Sequence, residues 1–183
     1  PAALEALEQA FQNSRSRMDT LSPGVLQAEK TRMGRQLVRF LGRVGKTLSE
    51  DYAPALFELS FGSKGSETGP LHLSAGDGPP VLLSGQVDRI DLSPDGAAAR
   101  IIDYKLGKVC AQSDISGGQD IQLSVYMRAL EELIRPGTVC GEAWYLSLTK
   151  DTDRRIGEKK RRSGVTREKA LESSEESIAR AVA

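Results

Sequence analysis

The run Gly85-Gln86-Val87-Asp88-Arg89-Ile90-Asp91-Leu92-Ser93-Pro94-Asp95-Gly96-Ala97-Ala98-Ala99-Arg100-Ile101-Ile102-Asp103-Tyr104-Lys105-Leu106-Gly107 decides how this sequence folds. Two strand-compatible runs flank Ser93-Pro94-Asp95-Gly96. Proline presets φ for a turn, and glycine takes the positive-φ position that a side chain resists. The whole reads as a β-hairpin. Antiparallel pairing across that turn sets Asp88 nearly opposite Asp103. Asp103 and Lys105 are two apart and share one face of the second strand. Two carboxylates and one ammonium then meet on one patch of sheet.

Such a patch is costly unless it is used, because two close carboxylates repel and one is pushed to protonate. A divalent cation resolves the conflict. Mg²⁺ takes oxygen ligands, one or two of them carboxylates, and keeps other positions for water and substrate phosphate. A metal so held can activate water and stabilise the leaving oxygen of a phosphodiester. Lys105 beside it can hold or deprotonate the attacking water, or steady charge developing on phosphorus. The competing reading is a half-exposed sheet face bearing an Asp103/Lys105 surface pair, which is worth little.

The wider spacing carries a resemblance. G-x-x-D-R-I-D, a turn, I-I-D-Y-K-x-G, then Gln122-Leu-Ser-Val-Tyr126 resembles the PD-(D/E)XK nuclease superfamily, and within it the nuclease domain of RecB/AddB-type repair exonucleases. The resemblance runs from about Ala55 to Leu130. It implies that Asp88 and Asp103 bind the metal, that the backbone carbonyl of Tyr104 completes that site, and that Lys105 serves the attacking water. It implies that Gln122 and Tyr126 lie on the following helix, beside the site and the DNA. Glu58, in Glu58-Leu-Ser-Phe61-Gly62, matches a Glu that the family often carries upstream, as a third ligand or an orienter of water; the alternative is a surface-facing strand residue. The family's early motif His has no match: His72, the one histidine, follows Glu58 and reads as a neutral strand or loop residue.

Composition sets bounds. The 183 residues fit one domain with a helical arm and are enough for a core. With 25 basic and 25 acidic residues, no global field announces nucleic acid, so DNA contacts must come from local clusters. Cys110 and Cys140 lack metal-ligand spacing and read as unpaired thiols in a reducing, cytoplasmic setting. No apolar run approaches a membrane span and no signal peptide is visible. A chain that opens on Pro rather than Met reads as a fragment of a larger protein.

Residues 1–50 read as helical. Leu4, Leu7, Ala10 and Phe11 recur at helical spacing, and Ser22-Pro23 reads as an N-cap with proline at the first helical position. Leu26, Met33, Leu37, Phe40, Leu41 and Val44 form the second stripe, and the segment is expected to pack on the core. Pro54–Phe61 is expected as a strand, 106–118 as a loop, 118–133 as a helix, and Val139–Leu148 as a strand. Arg89 and Asp91 point to the sheet face opposite Asp88, as a supporting ion pair. Lys108 is placed to touch phosphate, or is merely solvated. The segment 151–164 reads as a charged loop holding the densest basic cluster, Arg154, Arg155, Lys159, Lys160, Arg161 and Arg162, which suits DNA phosphates or simply water. Thr166–Val182 is a helix with Thr166 as a cap.

The expected fold is α/β: a mixed central sheet flanked by helices, a restriction-endonuclease-like core over 51–183 with an N-terminal helical segment over 1–50. The expected activity is Mg²⁺- or Mn²⁺-dependent DNA hydrolysis, with Asp88, Asp103, Lys105, Glu58 and Gln122 at the reaction. The resemblance implies an exonuclease in double-strand-break repair or recombination, working with a helicase subunit or domain. No iron–sulfur cluster is expected in this chain, since the downstream cysteines of AddB-like relatives are missing. The rival is an inactive nuclease fold that binds DNA or a partner as a scaffold.

Overall fold

A computed structural model describes residues 2–14, 22–74, 79–157 and 164–182. The chain divides into two compact units, residues 1–49 and 50–183. The first unit holds α1 (Ala2–Asn13) and α2 (Pro23–Thr47). Ser22 caps α2, its Oγ accepting from Val25 N at 3.4 Å, and Pro23 follows where its missing N–H costs nothing. Leu4 and Leu7 of α1 rest on Gly34 of α2.

In the second unit the strands are β1 (Ala53–Phe61), β2 (Leu71–Leu73), β3 (Val81–Leu83), β4 (Gly85–Leu92), β5 (Ala98–Lys105), β6 (Val139–Ser147), β7 (Asp153–Gly157) and β8 (Gly164–Thr166). Six of them form one sheet in the order β1-β4-β5-β6-β7-β8, and β2 pairs with β3 alone. The expected hairpin is β4–β5. Gly96 takes φ +71°, its N–H donates to Ser93 O, and the Asp95 carboxylate accepts from Ala97 N and Ser93 Oγ. β1/β4 and β4/β5 are antiparallel, whereas β5/β6 is parallel, so the sheet is mixed as expected.

A parallel neighbour cannot be reached by a tight turn, and the chain must cross over one face of the sheet. That crossover holds α3 (Gln112–Ser116), α4 (Gln122–Ala129) and a π-helical turn at Leu130–Ile134. Leu123, Met127 and Leu130 of the crossover are buried with Ile90, Ile101, Ala143 and Tyr145 of the sheet. The last helix, α5 (Arg167–Val182), adds Ala170 and Ile178 to the same core. Thr166 Oγ1 accepts from Lys169 N, as its reading as a cap requires.

The structure corrects three boundaries. The segment expected to be loop through Gly118 contains α3, and the following helix begins at Gln122, not Gly118. Gly118 sits at φ +71°, and a Cβ there would lie 2.3 Å from Ser173 O, so the chain must break at this point. The expected loop 151–164 contains β7, which pairs with β6 from Leu146↔Asp153 to Glu142↔Gly157. Its charges hid it: Arg155 is neutralised by Glu142 across the strand pair and lies 5.5 Å over the Trp144 ring. Of the basic cluster, Lys159, Lys160, Arg161 and Arg162 lie outside the described residues, as does most of the turn expected at 76–80.

Alternation on β4 and β5 gives the sheet a second polar contact set on the opposite face. Asp91, fully buried, pairs with Arg89 and with the buried Arg100, whose guanidinium lies 4.9 Å over the Tyr52 ring. Removing one member of such a set leaves buried charge unmatched. Asp91→Ala is therefore expected to cost about 3–5 kcal/mol in urea unfolding. A loss below about 1 kcal/mol, the range of an exposed pair, would contradict this account.

Candidate active site

The β4/β5 register runs Arg89↔Ile102 through Leu92↔Ala99. One step further it would bring Asp88 opposite Asp103, but the ladder stops there. Tyr104 N instead donates to Asp88 Oδ2 at 2.8 Å, so a carboxylate takes the acceptor place of a backbone carbonyl. The two strands are thus fastened at their open end by an acid. Asp103 and Lys105 then project together, as their spacing predicts. Lys105 Nζ lies 2.8 Å from Asp103 Oδ2 and 2.7 Å from Gln122 Oε1, and 4.9 Å over the Tyr145 ring. Gln122 Nε2 donates to Tyr126 Oη at 2.8 Å. Gln122 and Tyr126 are one turn apart on α4. Five of the expected site residues, Asp88, Asp103, Lys105, Gln122 and Tyr126, are therefore gathered.

Asp103 is 2% exposed. Burial raises its carboxyl above the ordinary aspartate range; Lys105 pulls it down, and the charges of Asp88 and Asp120 push it up again. Burial likewise raises the Tyr126 phenol, with the Gln122 hydrogen bond opposing and Asp103 and Asp88 adding to the rise. These mutual effects place the three acids and Tyr126 in one electrostatic neighbourhood.

The remaining expected residues are placed differently. Glu58 falls in the gap of the β1/β4 register between Phe57↔Arg89 and Leu59↔Val87, alongside Asp88. It is exposed, sits at φ +49°, and its carboxylate accepts from Gln86 Nε2 at 3.0 Å. Lys108 is exposed just past β5. Cross-strand pairing puts Asp103, Tyr145 and Arg154 in one row over β5, β6 and β7, on the site's face. Arg155, next in sequence, faces the other way toward Glu142 and Trp144. The Tyr104 side chain also lies on that opposite face, accepting from Arg89 Nη1 at 3.1 Å, so only its backbone belongs to the site.

Two residues not singled out from the sequence join the cluster. Tyr145 Oη donates to Asp120 Oδ1 at 2.6 Å and lies 3.3 Å from Gln122 Oε1. Asp120 Oδ1 also accepts from Gln122 N at 3.4 Å. An Asp just before a helix is a cap signal, but it is legible only if the helix starts at Gln122 rather than Gly118. Tyr145 carried no motif, and only the parallel β5/β6 pairing reveals its place.

The donor set suits a hard cation. Asp103 Oδ2 is buried and has no aligned hydrogen-bond donor, although Lys105 is in ion-pair contact with it. Asp88 and the Tyr104 carbonyl add further oxygens. Among the described residues no three His, Cys, Asp or Glu side chains form a metal cluster. A metal here would rest on two carboxylates, one carbonyl and water, a sparse set of the kind Mg²⁺ accepts. The Cys110 thiol, held up at about 12 chiefly by burial with Asp120 adding to the rise, offers no thiolate ligand.

The family model of the PD-(D/E)XK nuclease superfamily matches residues 1–183. This chain belongs to that superfamily. It is 35% identical over 120 residues to one subunit of the ATP-dependent helicase/deoxyribonuclease of Clostridium acetobutylicum, covering 57% of this chain and 10% of that protein. The corresponding protein from Clostridium tetani is 43% identical over 83 residues, 44% of this chain and 7% of its own length. The one from Moorella thermoacetica is 33% identical over 126 residues, 61% and 11% respectively. The nuclease-superfamily chain thus spans about a tenth of these curated relatives.

The raised carboxyl of Asp103 has a definite pH signature. Its folded value lies above the ordinary 3.8, so its ionisation opposes folding. The stability it contributes is full below that value and is lost as pH rises through the raised one. In EDTA, Asp103→Asn is expected to raise Tm near pH 7, with the gain shrinking to nothing toward about pH 4. A gain that does not vary over that window, or a loss at neutral pH, would contradict the assignment.

Proposed function

We propose that this chain is a divalent-metal-dependent deoxyribonuclease, and the observation that carries the reading is the buried, donor-poor Asp103 oxygen beside Asp88 and Lys105. Asp88, Asp103 and the Tyr104 carbonyl hold Mg²⁺ or Mn²⁺. When bound, the ion supplies Lewis-acid stabilisation of the charge that builds at the scissile phosphate. Lys105, fixed between Asp103 and Gln122, orients the attacking water and balances developing negative charge. Water attacks phosphorus, a P–O ester bond breaks, and the water's proton leaves through the basic groups of the site. Gln122 keeps the Lys105 ammonium in place and, through Nε2, orients the Tyr126 hydroxyl toward the strand being cut. Glu58 assists from β1 as an orienter of water, a role its exposed position beside Asp88 allows.

Arg154 and Lys108 are the proposed phosphate contacts. Arg155 is omitted, because its guanidinium is spent on Glu142 and Trp144 on the other face. The basic residues 159–162 follow β7 directly and keep their proposed part in DNA binding. The names of the relatives support end-processing of broken DNA, as an exonuclease in repair or recombination, with a helicase subunit or domain as partner. A cytoplasmic setting accords with this. Among the described residues no helix is long and apolar enough to cross a membrane.

Cleavage of linear single- and double-stranded DNA is expected with Mg²⁺ or Mn²⁺ and not with EDTA. Asp103→Ala or Lys105→Ala should lower kcat by about 10²-fold or more. A folded wild-type chain that binds DNA but does not cut it would support the scaffold reading instead. For the DNA path, Arg154→Ala should weaken DNA binding uniformly across sequences and reduce the salt slope by about 1. Arg155→Ala should leave that slope unchanged and lower Tm; the reverse pattern would contradict the assigned faces.

A further inference from the structure

The amide of Gln122 has two ways to sit, and only one serves Lys105. Its oxygen must face the ammonium; turned over, it would set an N–H₂ donor against an N–H₃⁺ donor. The Lys105 contact at 2.7 Å is one restraint. Tyr145 is the second. Its hydroxyl, on a fully buried side chain, lies 3.3 Å from the same Gln122 oxygen and donates to Asp120 Oδ1 at 2.6 Å, within the range of a charge-assisted O–H···O⁻ bond. The single Tyr145 proton is thus shared between two acceptors, Asp120 holding the larger part, and it presents no competing acceptor to the Lys105 side of Gln122.

Asp120 also does a mechanical job. Its Oδ1 accepts from Gln122 N, the first N–H of α4, and from Tyr145 of β6. One carboxylate oxygen therefore ties the start of the helix that carries Gln122 to a strand whose Tyr145 stands opposite Asp103. Without this tie the first turn of α4 is linked to the acids only through the flexible Lys105 side chain.

From this geometry we propose that Asp120 and Tyr145 are positioning residues, which fix the first turn of α4 and the orientation of the Gln122 amide, and so hold Lys105 in its working place. Neither residue touches the reacting atoms. Their role rests on the nuclease reading of Asp103, Lys105 and Gln122, but the orientation of the amide can be read without turnover.

The test uses the 183-residue chain and four variants: Tyr145→Phe, Asp120→Ala, Asp120→Asn and the double Asp120→Ala/Tyr145→Phe. Tyr145→Phe keeps the ring in the core. Asp120→Asn keeps an oxygen that can cap α4 and accept from Tyr145. The first readout is the ¹⁵N side-chain amide pair of Gln122, assigned by its loss in Gln122→Glu. It is expected to shift or broaden in Tyr145→Phe and Asp120→Ala, and to stay in place in Asp120→Asn. The second is DNA cleavage with Mg²⁺. Tyr145→Phe and Asp120→Ala should each lose about 10–10²-fold in kcat with little change in KM. The double variant should be no worse than either single, because both cut the same tie. Asp120→Asn should keep most of kcat. An unmoved amide signal, additive losses in the double variant, or Asp120→Asn as damaged as Asp120→Ala would each overturn the proposal. If the wild-type chain does not cut DNA, the nuclease reading fails, and the amide signal alone still decides whether Asp120 and Tyr145 position Gln122.

Discussion

A carboxylate taken out of water and given only one charged partner is expensive, and Asp103 is that carboxylate. Its ion pair with Lys105 offsets part of the desolvation, while Asp88 and Asp120 add repulsion. Much of the second unit is arranged around this unfavourable spot. Asp88 is held near it because its own oxygen replaces a ladder acceptor for Tyr104 N. Lys105 is kept beside it by Gln122 and by the face of Tyr145. Local conflict of this kind persists only where surrounding packing over-determines it, and here the surround is the Ile90, Ile101, Leu123, Met127 and Tyr145 core.

Topology explains why the helix that serves the site lies where it does. Because β6 runs parallel to β5, the chain leaves the end of β5, crosses the face and returns to the start of β6. The crossover must pass the end of the strand that bears Asp103 and Lys105. Residues early in α4 are thereby delivered to that end, and Gln122 is the first of them. The opposite face performs a different task. There Asp91, Arg89 and Arg100 match one another's charge, and the sheet gains a neutralised interior instead of a reactive one.

The hairpin and its acids were legible because the information is local. A Pro-Asp-Gly turn, two β-branched runs and a period of two place Asp88, Asp103 and Lys105 with no knowledge of the rest. The pairing of Arg89 with Asp91 on the other face follows from the same period. The start of α4 was not legible, since Gly118 belongs to a backbone turn pressed against Ser173, a contact 55 residues distant in sequence. β7 was masked by Asp153, Arg154 and Arg155, charges that look like solvated loop until Glu142 is known to lie across from Arg155. Tyr145 and Asp120 reach each other only through tertiary contact, so neither carried a signal that spacing could have shown.

The central claim is that the buried oxygen of Asp103 and the neighbouring Asp88 are held for a divalent cation. The most direct measurement is an anomalous-scattering map from crystals of the chain soaked in Mn²⁺. The account predicts one strong peak bounded by the Asp88 and Asp103 carboxylates and the Tyr104 carbonyl, lost in crystals of Asp103→Asn. No peak there at saturating Mn²⁺, or a peak unaffected by Asp103→Asn, would contradict it.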